Sequence, residues 1–140
     1  EVPDTLQGRF DSLTLHAILL IRRLRALPPP ADDASQDLVD ILFREVDRGL
    51  REIGIGDLSI PKKMKVFAKT FYGRAKLFDE ALDAGDNVLL ADALARNVGA
   101  QAQRLSQFAR HIRHLDATMA NYDLEHILSG APLFPDAPLD

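Results

Sequence analysis

The stretch Ile60–Ala84, IPKKMKVFAKTFYGRAKLFDEALDA, decides the fold class. Met64, Phe67, Ala68, Phe71, Ala75, Phe78 and Leu82 fall three, four or seven positions apart, which puts them on one face of an α-helix. Pro61 stands where a first helical turn tolerates it, with Ser59 as the expected cap. Gly85 is the expected stop.

The same periodicity extends in both directions. Upstream, Leu38, Val39, Leu42, Val46, Leu50 and Ile53 predict a second helix from Ser35 or Gln36 to Ile53, stopped by a left-handed Gly54. The segment 54–61, GIGDLSIP, is a compact connector between the two helices. A first helix is predicted from Leu13 to Leu27, capped by Asp11 or Ser12 and ended by the prolines at 28, 29 and 30. Its apolar residues point nearly all round, the mark of a helix buried on most sides. Pro28–Ala34 reads as a loop.

Downstream, a fourth helix from Asn87 to Val98 is capped by Asp86 and stopped by Gly99. A fifth runs from Ala100 to Asn121 with Leu105, Phe108, Ile112, Leu115 and Met119 as its stripe. A short sixth spans Leu124 to Leu128. Alternating strand patterns are almost absent. The chain reads as all-α: one compact bundle over residues 1–140, with about five main helices, a short C-terminal one, and an irregular tail from 132 to 140.

Composition narrows the function classes. With 140 residues, 46% hydrophobic and 27% charged, the chain can bury one core. Net charge is −4, which argues against general nucleic-acid binding. The absence of cysteine removes thiol catalysis, disulfides and thiolate metal sites. No apolar run approaches the length of a membrane-spanning helix.

Charge placement is the most informative local feature. Every lysine of the chain (Lys62, Lys63, Lys65, Lys69, Lys76) lies in the third helix, with Arg74 and no intervening acid. Acids return at Asp79, Glu80 and Asp83. Lysines at the positive end of the dipole and acids at the negative end oppose helix stability, by ~0.3–1 kcal/mol each when exposed. Lys62, Lys65, Lys69 and Lys76 share one face. The arrangement reads as a basic partner-binding surface, against the blander reading of a solvated face. Gly73, in the middle of the same helix, reads as close packing within the fold.

Other candidates carry less. His111 and His114 have a metal-compatible spacing but no third ligand, so a polar helix face that also carries Arg104 and Arg110 explains them better. His16 reads as a satisfied core histidine. Glu45 with Asp47, and Asp79 with Asp83, lack a neighbouring nucleophile. The pair Gly54 and Gly56 follows a helix rather than a strand, so turn chemistry accounts for it. No catalytic residue, metal site or cofactor is expected, and the chain does not read as an enzyme.

Several segments together resemble one family. These are Gly54-Ile55-Gly56-Asp57-Leu58-Ser59, Lys62-Lys63-Met64-Lys65 and Phe71-Tyr72-Gly73-Arg74. To them add Asp37-Leu38-Val39-Asp40 with Phe43, Asp47-Arg48 and Leu50-Arg51-Glu52. The first helix contributes Leu15-His16, Leu19 and Arg22-Arg23-Leu24-Arg25, preceded by Asp4 and Gly8-Arg9-Phe10. Ala95-Arg96-Asn97-Val98 matches in the fourth helix. The pattern is similar to the ubiquinol–cytochrome c chaperone family.

That resemblance implies an all-helical assembly factor for respiratory complex III that binds newly made cytochrome b. It also implies contact with the ribosome near its exit tunnel, a small partner protein, and a location in the cytoplasm or peripheral on the inner membrane (the matrix side in mitochondria). Length and arginine-rich style suit a bacterial member, and the lack of a family segment upstream of Val2 suggests N-terminal truncation. In this reading Lys62, Lys63, Lys65, Lys69, Arg74 and Lys76 contact partners, and Leu15, Leu19, Phe67 and Phe71 line an apolar client groove. The alternative is a peripheral membrane module whose basic helix binds anionic lipid.

Overall fold

In a computed structural model of the chain, residues 6–98 and 102–134 are described. They form six helices: α1 (Leu6–Ala26), α2 (Ala31–Glu52), α3 (Ile60–Asp83), α4 (Asn87–Val98), α5 (Ala102–Met119) and α6 (Leu124–Leu128). No strand occurs among the described residues. The all-α bundle expected from periodicity is the fold.

α1 is the central element and packs on α2, α3, α4 and α5. Its all-round apolar surface is the reason. Leu15, Ile18, Leu19, Ile21 and Leu24 are all buried, while Leu13 is left exposed. Around it, Phe71 and Phe78 of α3, Leu90 and Leu94 of α4, and Ile112 and Leu115 of α5 complete one continuous core. Burying side chains of this size contributes ~1.5–3 kcal/mol each.

One arginine ties three helices together on the outside of that core. Arg22 of α1 reaches Asp79 (3.1 Å) and Asp83 (2.7 Å) of α3 and Asp116 (3.1 Å) of α5. Burial works against its charge, but the hydrogen bonds to Asp83 and Asp79 and the charge of Asp116 outweigh that and raise its pKa further. The acids at the end of α3, unfavourable toward the helix dipole, are thus matched by a cation from another helix.

Several boundaries differ from the periodicity reading. α1 begins at Leu6, so Asp11 and Ser12 lie inside the helix rather than capping it. Asp11 tolerates that place because Arg74 Nη1 pairs with it at 2.8 Å. α2 starts at Ala31, inside the segment expected to be a loop. Asp32 and Asp33 stand in its first turn, where the helix dipole favours acids. Ser59 makes no side-chain cap: its backbone is already helical, and its carbonyl accepts from the Lys63 N–H at 3.1 Å.

Other signals hold. Asp86 Oδ1 accepts from the N–H groups of Val88 and Leu89 at the start of α4. Gly54 and Gly85 both take positive φ, 90° and 66°, after α2 and α3. α5 ends at Met119, two residues short of the expected Asn121, in a turn through Thr118 and Met119 carbonyls. Gly99, Ala100, the side chain of Arg104 and residues 135–140 of the expected tail lie outside the described residues, as do Val2 and Asp4.

Candidate functional site: an apolar groove beside a basic ridge

The apolar stripe of α2 is longer than the core that covers it. Val39 and Leu42 are buried, whereas Ile53, at the far end of the same stripe, is 66% exposed. Val66 of α3 is also mostly exposed, at 61%. The C-terminal half of α2, the N-terminal half of α3 and the start of α1 therefore enclose an open groove of 1210 Å³. Its wall is made by Phe10, Leu13 and Thr14 of α1, Leu42, Val46, Gly49 and Leu50 of α2, Ile53 just past the end of α2, and Val66, Phe67, Thr70 and Phe71 of α3.

Aromatic packing sets the floor. Phe67 meets Phe10 edge-on at 5.6 Å and Phe43 at 5.0 Å, and Phe43 meets Phe71 at 5.8 Å. Rings at these spacings favour edge-to-face contact, which fixes their orientation. Arg74, paired with Asp11, stands at the edge of the groove and joins α3 to α1. At the other end the connector is held against α2: Arg51 pairs with Asp57 at 2.6 Å, and the Ile55 N–H donates to the Leu50 carbonyl at 3.1 Å. Leu58, at the tip of this connector, is fully exposed.

Of the four residues named for an apolar groove, Phe67 borders this one and Phe71, itself buried, lies at its base. Leu15 and Leu19 do neither. They are buried in the core on the face of α1 that turns toward the other helices, away from the groove. Phe10, Leu13 and Thr14, near the start of α1, take their place on the wall. Val46, Leu50, Ile53 and Val66 were visible in sequence only as stripe or helix residues, and nothing there marks them as uncovered.

The basic residues divide into two sets. Lys62, Lys63 and Arg74 border the groove. Lys65, Lys69 and Lys76 are exposed along the outside of α3. Lys76 lies 3.9 Å from Glu80, and no carboxylate pairs with Lys62, Lys63, Lys65 or Lys69 among the described residues. On the opposite rim, Glu45 and Glu52 both pair with Arg48, the latter at 3.4 Å. The α3 side of the groove mouth thus carries two lysines with no carboxylate partner among the described residues, and the α2 side, with two carboxylates on one guanidinium, is one charge negative.

Gly73 does not serve the close packing expected of it. A Cβ there would meet nothing within 4 Å, and the same is true of Gly49 on the groove wall. The histidines lie elsewhere. His16 Nδ1 is 2.7 Å from the Ser12 carbonyl, and its ring meets Phe134 edge-on at 4.6 Å. His111 is half-buried and His114 exposed, and no group of three or more potential metal ligands assembles among the described residues.

These features define a helical bundle with an open apolar groove beside a row of lysines, four of them without a carboxylate partner among the described residues. The chain belongs to the ubiquinol-cytochrome C chaperone family, whose model matches residues 1–134. Its fold is similar to the crystal structure of the Cbp3 homolog from Brucella abortus, with a TM-score of 0.85 and 34% sequence identity over 96% of this chain and 76% of that one. A comparison with curated proteins gives no significant match. Membership supports a role in assembly of the ubiquinol–cytochrome c reductase. Among the described residues, no helix is long and apolar enough to cross a membrane.

Proposed function

We propose that this chain is a non-enzymatic assembly chaperone that binds newly made cytochrome b and holds it for incorporation into respiratory complex III. The observation that carries the reading is the open apolar groove over α1, α2 and α3 in a member of the ubiquinol-cytochrome C chaperone family. Cytochrome b is a membrane protein, and its apolar segments need cover before assembly. The groove offers that cover. Arg74, expected to join the basic ridge of Lys62, Lys63, Lys65, Lys69 and Lys76, is paired with Asp11 inside the fold. That ridge is the docking surface that brings the chaperone to the site of synthesis. Its partner there is the ribosome near the exit tunnel, the anionic face of the inner membrane or a small partner protein.

Charge reversal tests the ridge. In cells that depend on this chain, Lys62→Glu, Lys65→Glu and Lys69→Glu together should reduce cytochrome b capture and complex III content. Unchanged capture and assembly would remove the docking role. Salt-sensitive binding to anionic liposomes with no capture of cytochrome b would instead favour the lipid-binding module.

A further inference from the structure

Both mid-helix glycines face open space, but only Gly49 faces the groove. Glycine within a helix is less stable than alanine, and nothing inside the fold accounts for it at position 49. A Cβ there has ample room in the isolated chain. Glycine on an open helix face lets a second helix approach closely. Across the groove stand Thr70 and Val66 of α3, a short side chain and an exposed apolar one. The wall from Leu42 of α2 to Ile53 just past its end is about 17 Å long, enough to meet roughly three turns of a helix laid along it.

The charges give the incoming helix a sidedness. Lys62 and Lys63 line the α3 side without a carboxylate partner among the described residues. The acids on the α2 side, Glu45 and Glu52, share the single guanidinium of Arg48, which leaves that side one charge negative. An apolar helix whose acidic flank faces α3 complements the two lysines, and a basic flank on that side does not.

We infer that the groove receives one α-helix of a partner protein, with its backbone crossing close over Gly49 and an acidic flank facing Lys62 and Lys63. This is the helix-in-groove mode of recognition, in which anchors three and four positions apart fill the apolar floor. The inference rests on the groove being the client site, and it adds the client's secondary structure, its point of closest approach and its charge.

The test uses two synthetic, hydrocarbon-stapled 14-residue helices carrying a fluorophore. Both have the same leucine–alanine stripe. One carries glutamates along one flank and the other carries lysines. Fluorescence anisotropy should show the glutamate helix binding the whole chain about tenfold more tightly than the lysine helix, with Lys62→Glu/Lys63→Glu reversing the order. Gly49→Leu should weaken the glutamate helix by about tenfold or more while circular dichroism shows the fold intact. Gly49→Ala, smaller and at least as helical, should weaken it less.

Equal affinity for the two helices, indifference to Gly49→Leu, or no binding at all would overturn the inference. So would a chain dimer that Gly49→Leu disperses, since the occupant would then be a second copy. The arms also separate this inference from the chaperone reading. Cytochrome b capture that ignores Gly49 and the two lysines leaves the chaperone and removes the helix register. Selective binding of the glutamate helix without cytochrome b capture does the reverse.

Discussion

Arg74 Nη1 of α3 stands 2.8 Å from Asp11 Oδ1 of α1, the two side chains only 16% and 9% exposed. This pair joins two helices at the edge of the groove, so the shape of the groove depends on it. Removing one partner takes this ion pair from a charge that stays largely buried, which costs up to about 3–5 kcal/mol in comparable pairs. Arg74→Ala should therefore lower stability by about 3 kcal/mol in urea denaturation. Replacing both residues with apolar ones of similar size, Asp11→Leu with Arg74→Met, should cost clearly less. A double variant as unstable as the single one would show that the pair does more than neutralise itself.

Arg22 is the second tie, and its geometry demands a guanidinium. It donates from three nitrogens to carboxylates of α3 and α5. A lysine ammonium keeps the charge but loses the planar fork. Arg22→Met should destabilise by about 2 kcal/mol, since three carboxylates then face one another with no cation. Arg22→Lys should recover only part of that loss. Thermal melts of the three proteins give the order directly.

Gly73 sits in the helical part of α3 with open space where a Cβ would be. Gly73→Ala should stabilise the chain by up to ~1 kcal/mol through helix propensity alone. For a domain of this size that raises Tm by roughly 3 °C. Gly54→Ala should do the opposite, because Gly54 has φ of 90° and an alanine there is strained. A fall in Tm for Gly73→Ala would point to an unrecognised contact at that position.

His111 supplies a pH dependence. Burial first, then the neighbouring His16 and His114, push its pKa below the usual 6.5. The folded state therefore resists protonation more than the unfolded chain does. Stability should be fully present above pH 6.5 and fall as pH drops below it, levelling off once pH passes the folded pKa. His111→Gln should flatten this part of the stability curve, and an unchanged slope would assign it to other groups.

Much of this fold was legible because its signals are local. The α3 stripe, the Asp86 cap and the glycine stops each depend on residues a few positions apart. The start of α1 was not legible, since Asp11 looks like a cap until Arg74, far along the chain, is seen to pair with it. The groove was half legible for a related reason. The stripe from Leu38 to Ile53 is continuous in sequence, and only packing decides that Val39 is buried while Ile53 is not. Leu15 and Leu19 are as apolar as any groove residue, and helix rotation placed them in the core. Gly73 likewise looked like a packing glycine, whereas Gly49, on the groove wall, carried no comparable signal in the sequence.

The central claim is that cytochrome b occupies the groove, and site-specific photo-crosslinking during cytochrome b synthesis tests it most directly. A photoreactive residue at Val66, on the groove wall and 61% exposed, is compared with one at Val88, 69% exposed and away from the groove. The account predicts a cytochrome b adduct at position 66 and none at 88. Equal labelling at both positions, or labelling of cytochrome b at 88 alone, would contradict it.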